Sequence, residues 1–190
     1  MDENPLAERG RSLENEYFRK KDQELIERIR RERAAQEARQ QLSATSGLQD
    51  PALIDELEAL GFTTDTVALL PLVPLIQVAW AEGGVTAAER ALVVKLARAR
   101  GIGEGSAADQ TLDGWLANRP SPDVFARATR LLGAMLQSPQ TDAPMTAADL
   151  VKYCEEIAAS SGGVFGINKI SGEERALLAA IASALAQPRK

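Results

Sequence analysis

Four times after residue 85 the sequence repeats one short phrase, a serine or threonine followed three positions later by an acidic residue. The pairs are Thr86 with Glu89, Ser106 with Asp109, Thr146 with Asp149, and Ser171 with Glu174. A pair of this kind opens a helix. The hydroxyl accepts from an otherwise unsatisfied amide of the first turn, and the carboxylate reaches back to the cap residue's own amide. Ser121-Pro122 opens a fifth helix, because proline fits the first helical turn. The spacing predicts helices over residues 87–100, 107–118, 122–137, 147–160 and 172–186. Apolar residues follow the same period: Leu177, Leu178, Ile181 and Leu185 share one face, and Leu92, Leu96 and Ala99 repeat part of it.

Upstream, Asp50-Pro51 starts a short helix that stops at Gly61. A helix over residues 65–82 follows, bent by Pro71 and Pro74, apolar nearly all round and central to the core. Residues 6–42 have no proline, have glycine only at Gly10, and are rich in Glu, Arg, Lys, Gln and Ala, so they predict one long helix. The small-residue stretch 42–50 reads as a hinge. The expected fold class is all-α: a compact bundle of about seven helices with an internal helix-loop-helix repeat, preceded by a long N-terminal helix. The division is an arm of residues 1–43 and a domain of residues 50–190. With 45% hydrophobic residues the chain can bury a core, and its 4% aromatics and lack of Val, Ile, Thr and Tyr runs disfavour strands.

The chain has no histidine and one cysteine, Cys154. That removes zinc fingers, imidazole bases, Ser-His-Asp triads and disulfide frameworks. Cys154 lies on an apolar helical face and reads as a small buried hydrophobe. No nucleophile stands beside a base. The glycines of residues 101–106 follow a helix and not a strand, unlike a phosphate-binding loop, and the neighbours Glu155 and Glu156 point to different sides of their helix. An enzyme is not expected.

Residues 1–43 hold ten Lys/Arg and ten Asp/Glu, which leaves the whole net charge of −5 to the remainder. An acidic domain without a basic face does not suit nucleic acid. The N-terminus lacks the apolar core of a signal peptide, and no window reaches the ~18 apolar residues of a membrane span. A cytoplasmic location is the expectation.

One phrase occurs twice. Gly83-Gly84-Val85 leads into Thr86-x-x-Glu89-Arg90-Ala91, and Gly162-Gly163-Val164 leads, after an insertion of residues 165–170, into Ser171-x-x-Glu174-Arg175-Ala176. Two explanations stand side by side. In the first, the glycines end one helix, the valine plugs the corner and the cap starts the next helix. In the second, Glu82 and Glu89, with carbonyls of Gly83 or Val85, offer oxygen ligands to calcium or magnesium. The second copy offers less, because Ser161 replaces the equivalent of Glu82 and leaves Glu174.

The string over residues 69–93, an apolar helix ending in Ala-Glu-Gly-Gly and followed by Thr-x-x-Glu, resembles the tellurite-resistance TerB-like proteins. The likeness spans about residues 65–186 and includes both copies. It implies a compact all-helical domain associated with stress response, with divalent metal binding carried over to Glu82, Glu89 and Glu174. Glu82 departs from the family's aspartate.

The arm carries Leu13, Tyr17, Phe18, Leu25, Ile26 and Ile29 near one stripe, while from Arg30 to Gln41 only alanines interrupt the polar residues. Its residues Glu14, Tyr17, Phe18, Arg19, Glu24 and Leu25 resemble the inhibitory helix of the mitochondrial ATP synthase inhibitor protein. That likeness implies inhibition of a rotary ATPase by insertion of the arm, without the family's histidine-based pH switch. The other reading docks Leu13, Tyr17, Leu25 and Ile29 on the chain's own domain. The expected function is a non-enzymatic binding or scaffold module with a protein partner for the arm; the alternative is the ATPase inhibitor.

Overall fold

The structure is a computed structural model that describes residues 5–137, 146–161 and 170–186, with residues 5–13, 15 and 161 as backbone alone. The chain divides into two units, Met1–Gln40 and Gln41–Lys190, each described by itself. Among the described residues every regular element is helical, and no helix is long and apolar enough to cross a membrane.

The first unit is most of α1, Pro5–Ser46. Strong helix formers and close charge pairs maintain it: Lys21 Nζ lies 3.3 Å from Glu24 Oε2, and Arg28 Nε lies 3.9 Å from Glu32 Oε1. Each such pair adds only a few tenths of a kcal/mol, so propensity carries the helix. Its end departs from the expected hinge. The helix runs past Leu42 and stops at Gly47, whose φ of +71° is a conformation that favours glycine. Leu42, Ser46 and Leu48 are buried, and the Ser43 hydroxyl donates to the Leu48 carbonyl at 2.6 Å. Leu42 and Leu48 lie in the second unit and join its buried core.

The second unit is a bundle of α2 (Pro51–Ala59), a 3-10 turn (Val67–Leu72), α3 (Val73–Ala79), α4 (Ala87–Ala99), α5 (Ala107–Ala117), α6 (Pro122–Leu136), α7 (Ala147–Ser161) and α8 (Gly172–Ala186). The helix expected over residues 65–82 is split. Pro71 and Pro74 remove two amide donors three positions apart, so the chain takes the tighter 3-10 pitch until Pro74 reaches the second position of α3, where no donor is required. The expectation of centrality holds: Val67, Leu69, Leu70, Leu72, Val73, Leu75, Ile76 and Val78 are all buried.

α3 packs on α4, α6, α7 and α8, and α7 packs on α3, α4 and α8. Exchanging the pair α3–α4 with the pair α7–α8 converts the α3–α8 contact into the α7–α4 contact, and both are present. This is the internal repeat. Gly162, Gly163 and Val164 of its second corner lie outside the described residues. α6 and α8 approach so closely that a Cβ on Gly133 would meet the Ala184 carbonyl oxygen at 3.1 Å. α2 is tied to α6 through Glu56, whose Oε1 accepts from Arg127 Nε at 3.1 Å and from Arg130 at 2.9 Å.

The buried face of α4 differs from the expected one. Glu89, Val93 and Ala97 point inward, while Leu92 and Leu96 are half-buried and Ala99 is exposed. Two apolar stripes run side by side on this helix, and the neighbouring helices choose between them. Cys154 is fully buried, and burial pushes its thiol up to about 12.

Candidate functional site

The first glycine corner is assembled from the end of α3, residues 80–86 and the start of α4. Trp80 closes α3 through its amide, which donates to the Ile76 carbonyl at 3.1 Å. Gly83 then turns the chain at φ +88°, a conformation costly for residues with a Cβ. The Trp80 indole N–H donates to the Trp115 carbonyl at 2.9 Å, and the Trp115 ring meets Phe62 edge-on at 5.9 Å. Arg90 reaches Asp113 at 3.2 Å. α5 therefore braces the corner.

The acidic residues of the corner go to different environments. Glu82 is exposed, whereas Glu89 is only 2% exposed. The Thr86 amide and hydroxyl both donate to Glu89 Oε2, at 2.7 and 2.8 Å, and the Glu89 amide donates to Thr86 Oγ1 at 3.2 Å. Glu174 repeats the arrangement. It is 1% exposed, its Oε2 accepts from the Ser171 amide at 2.7 Å, and its amide donates to Ser171 Oγ at 3.1 Å. Glu89 and Glu174, offered by the sequence as cation ligands, are buried: a buried carboxylate has to be hydrogen-bonded, and the cap supplies its donors. Among the described residues no group of three or more Asp, Glu, His or Cys could hold a metal ion. Glu89 and Glu174 cap helix starts, and Glu82 stands exposed before the turn, while a calcium or magnesium shell needs six or so oxygens.

The remaining caps follow the predicted grammar with one exception. Asp149 closes on Thr146 at 2.9 Å, and the amide and hydroxyl of Thr146 hold its carboxyl below the usual range. Asp109 instead accepts from the Gly105 amide at 2.8 Å, while its other oxygen meets Arg98 at 2.7 Å. The Gly105 amide, and then Arg98, hold Asp109 below the ordinary carboxylate range. Arg98 also donates to the Ile102 carbonyl at 2.9 Å, so the glycines of residues 101–106 form a fastened connector.

The second candidate is the face of α1. Tyr17, Phe18, Leu25, Ile26 and Ile29 are 58%, 55%, 44%, 48% and 40% exposed. Every large hydrophobic side chain left exposed among the described residues belongs to this set. Tyr17 and Phe18 meet edge-on at 5.8 Å, and Lys21 Nζ lies 5.9 Å from the Tyr17 ring centre. Glu14, Arg19 and Glu24 are also exposed, so the six residues singled out in the arm lie along one accessible helix. That set stops one step short, at Leu25. Ile26 and Ile29 are exposed as well: Ile29 follows Leu25 at four residues, the spacing that continues the Phe18 and Leu25 face, and Ile26 flanks it.

This chemistry suits recognition of a protein surface: aromatic rings, branched aliphatics and long cations on a helix that needs no further folding. Comparison with protein-family models, with curated proteins and with solved structures finds no match, so the two family likenesses rest on their quoted residues alone.

Proposed function

We propose that this chain is a non-enzymatic interaction module. A TerB-like helical domain serves as the structural base, and the N-terminal helix docks a protein partner through the face made by Tyr17, Phe18, Leu25, Ile26 and Ile29. The observation that carries the reading is that exposure of large apolar side chains among the described residues is confined to this stretch. Contiguous exposed apolar groups on a folded protein mark interaction surfaces.

The test compares the full chain with Phe18→Asp and Leu25→Asp. Both side chains are exposed, so each variant should keep the parent melting temperature and lose partner capture. Equal capture by parent and variants removes the docking role from this face.

A second reading keeps the exposure of Tyr17, Phe18 and Arg19 in view, because these residues carry the likeness to the ATP synthase inhibitor. On that reading the full chain slows ATP hydrolysis by the cognate rotary enzyme, and Phe18→Ala relieves the inhibition. Unchanged turnover in the presence of excess protein disposes of it.

A further inference from the structure

We infer that the face on α1 is built for α1 of a second copy, run antiparallel and crossing near Glu27. The inference rests on the docking role proposed for this helix and names its occupant. Two features of the arm are arranged about that one residue.

The first is charge. Residues 14–27 carry five carboxylates against three cations, and residues 28–40 carry five arginines against two carboxylates. Two antiparallel copies lay each half against its opposite. A parallel pair stacks like on like, which costs energy and selects against that arrangement.

The second is the position of the aliphatic side chains. Leu25, Ile26 and Ile29, all exposed, bracket the crossing point, so both copies bring theirs to the same level.

The helix surface has the matching relief. Lys21, Glu24, Leu25 and Arg28 are among the residues that line a shallow concavity on this helix. They stand at i, i+3, i+4 and i+7, the four-residue hole that receives a side chain from a facing helix.

Sedimentation of the full chain at low ionic strength should show twice the monomer mass, with dissociation on dilution and at high salt. Phe18→Asp should give a monomer that keeps the parent's helical circular dichroism and a cooperative thermal transition. The triple variants Arg28→Glu/Arg30→Glu/Arg31→Glu and Glu14→Lys/Glu16→Lys/Glu24→Lys should each be monomeric alone and should form a one-to-one dimer when mixed. A parent chain that stays monomeric at all concentrations overturns the self-pairing. So does a triple variant that still dimerises alone. If the parent is monomeric and Phe18→Asp still abolishes capture of another protein, the docking role survives and only its occupant is wrong.

Discussion

The guanidinium of Arg127 on α6 donates to the carboxylate of Glu56 on α2 at 3.1 Å, and Arg130 donates to the same oxygen at 2.9 Å. Burial raises the Glu56 carboxyl, but the hydrogen bonds from Arg127 and Arg130 outweigh it and hold the group below its ordinary 4.5. A depressed carboxylate stabilises the fold above the unfolded pKa, and that contribution is lost as pH falls through the folded value. Glu56→Gln should therefore cost about 1 kcal/mol at neutral pH, the range of a partly exposed ion pair. The gap in melting temperature between parent and variant should close as pH drops below about 4.5. A gap that is constant with pH contradicts the assignment.

Removing the cap carboxylate separates the two explanations of the glycine corner. Glu89→Ala strands the Thr86 amide and should lower stability by about 1–2 kcal/mol, whereas Glu82→Ala should leave it within about 0.5 kcal/mol. Calcium and magnesium should shift the melting temperature of neither variant nor the parent. A metal-dependent rise in the parent that is lost in both variants restores the cation site.

Thr129 on α6 is 3% exposed, and its hydroxyl has no hydrogen-bond partner among the described residues. Burying a hydroxyl without a partner costs energy, and valine has nearly the same shape. Thr129→Val should raise stability by about 1 kcal/mol, read as a higher midpoint in urea with an unchanged slope. A lower midpoint means that the hydroxyl is satisfied in solution.

Gly133 marks the closest approach of α6 to α8, with the Ala184 carbonyl oxygen 3.1 Å from where a Cβ would sit. The obstacle is backbone, which yields less than a side chain. Gly133→Val should destabilise by about 1–3 kcal/mol despite the better helix propensity of valine. An equal or higher melting temperature means the two helices can part at this point.

The helices were legible because a cap and its first turn are local chemistry. Thr86 with Glu89, Thr146 with Asp149, and Ser171 with Glu174 each need only four consecutive residues. Where a distant group competes, the local rule fails: Asp109 turns to Gly105 because Arg98 holds its other oxygen. The bracing of the corner by Trp80 and Trp115 is 35 positions apart in sequence, beyond any local pattern. The same holds for α4, where periodicity pointed to Leu92, Leu96 and Ala99 and packing buried the neighbouring stripe containing Val93. The arm's stripe could be read from spacing; its exposure could not, because spacing fixes a face and not what covers it.

Imidazole and thiol are the side-chain groups whose ordinary titration falls nearest neutrality. This chain has no imidazole, and its single thiol is sealed inside α7 and stays protonated. It thus lacks both of the usual proton sensors. Where its associations respond to small acidity changes around neutral pH, neither an imidazole nor an accessible thiol of this chain is the sensor.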